Sequence, residues 1–375
     1  MTASPTAWKI DLRSDTSTRP SPAMLKCMMH AAVGDEQIAE DPTTRHLEER
    51  VAHELGQESA IFLPTGTMCN QIAFLVHCRP GDEIVASRLA HIVTSEGAGG
   101  AALAGASIQT IDTRNGIFTA DQLRHGVRPQ RDRSPRSRVV VIEQTSNRGG
   151  GAVWPLDVVK SIQREARSLG LAVHMDGARL FNAVVAAEVE LDDFTRECDS
   201  VWVDFTKSLG CPFGAVLAGS ADFVKQAWRW KHRLGGAMRQ SGFMAAACLY
   251  AMDNNVRRLA DDHANAKRFA EGIQGRSGIM LAFRDIETNM VFVDLSETGV
   301  SAENLLNELA PQGIRLSMEG QHLLRAVTHM DVSTDDVAVA ANALVAAVEN
   351  IQSRTHVVRS PEHFKPSTRL PARTT

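Results

Sequence analysis

Leu171-Ala172-Val173-His174-Met175-Asp176-Gly177-Ala178-Arg179 is an apolar run that ends in a carboxylate, a glycine and a guanidinium. A near-continuous apolar run of this length reads as a strand buried on both faces, as in a parallel sheet covered by helices. The chain just before it has a helical repeat, with Val158, Val159, Ile162, Ala166 and Leu169 spaced along residues 157–169. Outward in both directions the pattern recurs at residues 60–63, 83–86, 139–142, 201–203 and 215–218. Alternation of such strands with helical lengths predicts an α/β fold, a doubly wound and mostly parallel sheet.

After residue 255 the texture changes. A long polar helix is expected over 254–271, a strand over 290–295, and helices over 302–309 and 335–351. The chain therefore divides into an N-terminal segment (1–25), a large domain (26–255) and a smaller C-terminal α+β domain (256–351). Residues 352–375 form a basic tail containing Pro361, Pro366 and Pro371, expected to be loosely ordered. I

n 375 residues, 40 Lys and Arg stand against 44 Asp and Glu, a net charge of −4, which argues against nucleic-acid binding and against a basic membrane-binding face. No run reaches the roughly 20 apolar residues of a membrane span. The six cysteines show no zinc-type spacing, so no metal site and no disulfide framework are expected. Together with the lack of an apolar leader, this points to the cytoplasm. The single tyrosine, Tyr250, excludes any mechanism that needs two from one chain.

Gly97-Ala98-Gly99-Gly100-Ala101-Ala102 fits a dinucleotide-binding pattern, and a nicotinamide oxidoreductase is the reading it would support. No strand leads into it within a βαβ unit, so close packing of a small-residue helix explains it better. Phe62-Leu63-Pro64-Thr65-Gly66-Thr67 is stronger: a strand ends in a hydroxyl-rich turn that opens a helix, an arrangement suited to a phosphate. Asp176 closes one strand, and in Val203-Asp204-Phe205-Thr206-Lys207 a lysine follows another. A phosphate cradle, a strand-end carboxylate and a strand-end lysine together are what pyridoxal 5'-phosphate requires. The lysine forms a Schiff base, and the carboxylate keeps the pyridine nitrogen protonated.

Blocks spread along the chain carry a resemblance. They include Asp11-Leu12-Arg13-Ser14-Asp15-Thr16, Gly34-Asp35-Glu36, Glu40-Asp41-Pro42-Thr43, Pro64–Thr67, Met175–Ala183, Thr206–Gly210, Met238–Gly242 and Arg325-Ala326-Val327-Thr328-His329. In these the chain resembles the low-specificity L-threonine aldolases, pyridoxal enzymes of the aspartate-aminotransferase-like fold (type I). The resemblance implies cleavage of L-threonine-type β-hydroxy-α-amino acids to glycine and an aldehyde. A β-eliminating lyase or a racemase on the same scaffold is the alternative.

It further implies that Lys207 carries the cofactor and Asp176 meets its ring nitrogen. Gly66, Thr67, Thr206 and Arg239 would hold the phosphate. His91 would lie over the ring and, directly or through water, take the β-hydroxyl proton. Ser14, Arg179 and Arg325 would bind the substrate carboxylate, with Arg179 also beside the cofactor. The partner is then a small amino acid, and a homodimer or homotetramer with shared active sites is implied. Four positions depart from the family pattern and are expected around the β-substituent: Ser146, Ser95, His232 and Ile38. Of these, Ser146 and His232 are expected to touch substrate.

Overall fold

A computed structural model describes residues 8–359. Thirteen strands follow in chain order: β1 (Ile10–Asp11), β2 (Ser59–Leu63), β3 (Asp82–Ser87), β4 (Ser107–Ile111), β5 (Arg136–Glu143), β6 (Ala172–Gly177), β7 (Ser200–Asp204), β8 (Ala215–Gly219), β9 (Met280–Leu281), β10 (Met290–Asp294), β11 (Ile314–Arg315), β12 (Ser317–Gly320) and β13 (Leu323–Val327).

The near-continuous apolar runs become the centre of a seven-stranded sheet of order β2-β8-β7-β6-β5-β3-β4. Every pairing in it is parallel except the two made by β8, which runs against both β2 and β7. Strands β6, β7 and β8 are buried almost throughout because helices cover both faces. The helix Leu156–Ser168 shows how: Val159, Ile162, Gln163 and Ala166 face inward at helical spacing.

A second sheet of order β12-β13-β10-β9 is antiparallel throughout and packs with the helices Leu259–Ile273 and Thr334–Arg359 around a separate core. Strand β1 pairs in parallel with β11, and Ile10 and Leu12 are buried in this second core. The last helix runs to Arg359, so the first residues of the expected tail are helical; the remainder of that tail lies outside the described residues. The Gly97–Ala102 stretch forms a short helix from Gly99 packed on the helix Gly66–His77, where a Cβ on Gly99 would lie 2.5 Å from the Gln71 side chain.

Among the described residues, no helix is long and apolar enough to cross a membrane. None of their His, Cys, Asp and Glu side chains gather in a group of three or more able to hold a metal ion.

Candidate active site

Parallel strands deliver side chains to the crevice beyond their carboxyl ends, the usual place for a ligand in an open α/β sheet. Here β2, β3, β5, β6 and β7 all contribute to one cavity of about 510 Å³.

Beyond β2, Thr65 caps the helix Gly66–His77 by accepting from the Met68 N–H at 3.2 Å. The first N–H groups of a helix have no intrahelical acceptor, so Gly66 and Thr67 present donors and a positive dipole end to the cavity. Gly66 is required there. A Cβ would lie 2.2 Å from the ring of Trp202 beneath it.

The floor is formed by β6 and β7. Asp176 accepts from the Ala178 N–H at 3.1 Å and from the Asn70 amide at 2.9 Å. Burial raises its pKa and the nearby Glu96 adds to that, while Asn70, His91 and Lys207 oppose. Lys207 forms an ion pair with Asp204. The other oxygen of Asp204 accepts from both the N–H and the hydroxyl of Thr206, each at 2.7 Å.

His91 follows β3 and closes a third side. Its Nδ1 lies 2.8 Å from Glu96, whose two oxygens also accept from Asn70 and Gln71 at 2.8 and 2.9 Å. A carboxylate only accepts, so Nδ1 carries the hydrogen and Nε2 is the basic nitrogen of the neutral ring. The Glu96 hydrogen bond raises the His91 pKa against the effect of burial. Glu143, the last residue of β5, accepts from the backbone N–H groups of His91 and Asn147 at 2.5 and 2.8 Å. Burial, reinforced by the charge of Asp176, pushes Glu143 up to about 7.

The fourth side is cationic. Arg179 is buried, with Nε and Nη2 each 2.7 Å from the Asp15 carboxylate. Burial alone would raise the Asp15 pKa; Arg179 outweighs it and holds Asp15 far below the usual carboxylate range. Arg325 donates to Asn147 at 2.9 Å, and its Nε forms an ion pair with Glu319 at 3.4 Å. Ser14 completes this wall, its hydroxyl accepting from the Thr16 N–H.

Ser14, Gly66, Thr67, His91, Asp176, Arg179, Thr206, Lys207 and Arg325 therefore line one cavity. Five expected residues do not. Arg239 is exposed and paired with Asp35 at 2.6 Å, on a loop tied down by Glu36. His232 is exposed against Trp228, because Phe223, Ala227 and Lys231 occupy the inward positions of the helix Ala221–Arg233. The lysine beside it, Lys231, is buried and paired with Glu36 at 2.6 Å.

Ser146 is buried but turned away from the cavity. It is bridged to Ala152 through its backbone, and its hydroxyl packs toward Gly116 and Gly149, where added Cβ atoms would meet it at 1.9 and 2.6 Å. Ser95 and Ile38 are exposed and do not line the cavity. The expected β-substituent pocket of these four residues is thus not assembled within the chain.

Sequence reading missed Asp15, Asn70, Glu96, Glu143, Asn147, Trp202 and Asp204. Some carried a signal. Glu143, Asp176 and Trp202 stand opposite one another in register on three adjacent strands, and Asn70 lies one helical turn beyond Gly66. Glu96 had none, since its place depends on the loop that follows the helix His91–Thr94.

The chain matches the β-eliminating lyase family over residues 11–296. It is 41% identical to the low specificity L-threonine aldolase of Escherichia coli K12, over 88% of this chain and 97% of that protein. Identity to the low-specificity L-threonine aldolase 1 of Arabidopsis thaliana is 35%, over 92% and 99%. Among solved structures, the threonine aldolase of Leishmania major superposes with a TM-score of 0.78 at 21% identity, covering 90% of this chain and 99% of that one.

Proposed function

This chain belongs to the β-eliminating lyase family and, within it, to the low-specificity threonine aldolases, and from that premise we propose that it cleaves L-β-hydroxy-α-amino acids of the threonine type to glycine and an aldehyde with pyridoxal 5'-phosphate as cofactor. The observation that carries this reading is the convergence of Lys207, Asp176 and the open N-terminus of the helix Gly66–His77 on one cavity. The residues present fit the group. Gly66 packs directly on the Trp202 ring with no room for a Cβ, and the cavity beside it lies between a lysine amine, a buried carboxylate and a row of backbone donors.

Lys207 would hold the cofactor aldehyde, Asp176 its ring nitrogen, and Gly66 and Thr67 its phosphate, with Thr206 positioning Asp204 beside the lysine. When bound, the cofactor supplies an electron sink for the pair left on Cα as the Cα–Cβ bond breaks. Arg179 and Arg325 orient the substrate carboxylate with the help of Ser14, since a guanidinium matches a carboxylate in plane and charge. Neutral His91, through Nε2, takes the β-hydroxyl proton directly or across a water. The Glu96 carboxylate holds that ring in the tautomer the step needs.

Shared active sites in a homodimer or homotetramer are part of the same reading. Arg239 faces outward instead of into its own cavity, and Leu25, Met29, Val33, Ile38 and Phe243 are exposed on the helix Pro22–Met29, the loop after it and the start of the helix Gly242–Asn254. A cytoplasmic location is supported by six free cysteines, five of them buried.

The test is Lys207→Ala in protein supplied with pyridoxal phosphate. Loss of the cofactor's visible band and of glycine and aldehyde release is expected; turnover near the parent rate with the band intact would overturn the assignment.

A further inference from the structure

Behind the cavity floor a line of polar side chains runs back through the sheet from Asp176. It begins at Asn70, whose orientation is fixed by Trp202. An indole N–H can only donate, so the Asn70 atom 2.7 Å from it is the carbonyl oxygen. The Asn70 amide nitrogen then faces Asp176 at 2.9 Å and Glu96 at 2.8 Å.

His174 stands two residues before Asp176 on the same strand face, and its Nε2 is 3.0 Å from the Asn70 oxygen. That oxygen accepts only, so Nε2 carries the hydrogen. Nδ1 of the neutral ring must then accept from the Ser200 hydroxyl at 2.8 Å, Ser200 being the residue opposite His174 on β7. With its one hydrogen committed, Ser200 accepts from Nε2 of His77 at 2.7 Å. His77 borders a second cavity at the opposite end of the sheet, beside Arg138 and Asp199.

Each link thus has one possible direction. Every donor in the line points toward Asp176. Burial pushes His174 down to about 3 and His77 to about 4, so both rings are neutral, as this assignment requires.

We propose that His174, Ser200 and His77 are positioning residues for Asp176, a directed chain of donors that locks the Asn70 amide onto the carboxylate and favours its ionised form. An aligned series of dipoles polarises each successive hydrogen bond, and the bond to a charged acceptor at its end gains most. The titratable groups facing Asp176 are Glu96, which opposes its ionisation, Glu143 opposite it on β5, which repels it in turn, and His91 and Lys207, which support it; His77 faces Asp199 and Arg138. The proposal rests on the assignment of Asp176 to the cofactor's ring nitrogen, which stays protonated only beside an ionised partner.

The experiment uses the full chain loaded with pyridoxal phosphate labelled with ¹⁵N in the ring. In the parent the ring nitrogen should resonate as the protonated form. His174→Phe keeps the ring shape against Phe74 but removes the donor. It should move the resonance toward the deprotonated form, bring its titration to lower pH, and lower kcat about tenfold with KM changed less than about twofold. Ser200→Ala should act in the same direction and more weakly, and His174→Gln, whose amide can still donate to Asn70, should recover most of the parent signal. Should His174→Phe fail to fold, Ser200→Ala carries the test alone. A ring-nitrogen resonance and titration unchanged from the parent would overturn the proposal, whereas a parent that takes up no labelled cofactor would overturn the functional reading instead.

Discussion

Arg179 reaches the cavity with two of its donors already on Asp15, so it offers a substrate carboxylate only its remaining edge. Asp15 also accepts from the Asn289 amide at 3.0 Å, and its carbonyl accepts from the Ser208 N–H, next to Lys207, at 3.1 Å. Asp15 therefore ties together the guanidinium and the chain leading into β10 through its carboxylate, and the turn after the lysine through its backbone carbonyl. Asp15→Ala should cost about 3–5 kcal/mol of stability, because it leaves a buried arginine charge unpaired. Denaturant titration measures this, and a loss no larger than that of an exposed ion pair would contradict it.

His91 gives a pH prediction. Its pKa is raised chiefly by Glu96, and the neutral ring is the base, so activity should rise with pH through that raised value. Glu96→Gln removes the charge and should shift the rising limb of kcat/KM to lower pH, as followed by aldehyde release. A limb left in place would remove His91 from the base role.

Ser146 gives a third. A histidine there would meet Gly116 and Gly149, so Ser146→His should lower Tm and leave the preference among β-substituents unchanged. A sharpened preference for threonine in a protein of unchanged Tm would mean that the side chain reaches substrate after all.

At the scale of elements, β2 is an edge strand of the large sheet, and its outer backbone needs partners. The helix Pro42–Glu54 covers it, and Glu48 from that helix accepts the Phe62 N–H at 2.8 Å. Burial pushes Glu48 up to about 7 from an ordinary 4.5, against that bond and the attraction of Lys231. An acid whose pKa is raised by folding holds its proton longer in the native state, so stability falls as pH climbs from about 4.5 to about 7. Glu48→Gln keeps an acceptor for Phe62 and cannot ionise. Its Tm should decline less across that range than the parent's, with Glu143 still contributing a fall of the same sign. Parallel Tm curves for the two proteins would refute this.

The same scale shows what could be read from the chain. Strands buried on both faces are continuous apolar words, and β2, β3, β5, β6, β7 and β8 each stood out. Strand β4, Ser107-Ile108-Gln109-Thr110-Ile111, did not, because it is a half-exposed edge with alternating polar residues. The residues that end strands were legible for a related reason: a polar group directly after an apolar run must emerge at the crevice. Side-chain direction inside a turn was not. Ser146 lies one residue from Asn147, which lines the cavity, yet the turn back to Ala152 sends its hydroxyl the other way.

Taken whole, the described residues place the site between the two largest of their hydrophobic cores. The lysine, the aspartate and the phosphate cradle all come from the seven-stranded sheet and its connections, while Arg325 comes from β13 of the four-stranded sheet and Ser14 from the segment that follows β1. No pattern within residues 1–25 pointed to a partner near residue 314. The β1–β11 pair is two residues long, and its cause is a contact between distant parts of the chain that leaves no local periodicity.

That short ladder orders events during synthesis. Leu12 donates to Arg315 at 2.8 Å and accepts from Val327 at 2.9 Å, so the stretch bearing Ser14 and Asp15 has its anchors some 300 residues downstream. A ribosome that has released the whole seven-stranded sheet has not yet made the surface on which the first strand of the chain will lie. Contacts this remote close late, after the loop entropy between them has been overcome. A nascent chain can therefore build the cofactor half of the pocket while its amino-acid half is still unformed, and substrate recognition waits for the two ends of the fold to meet.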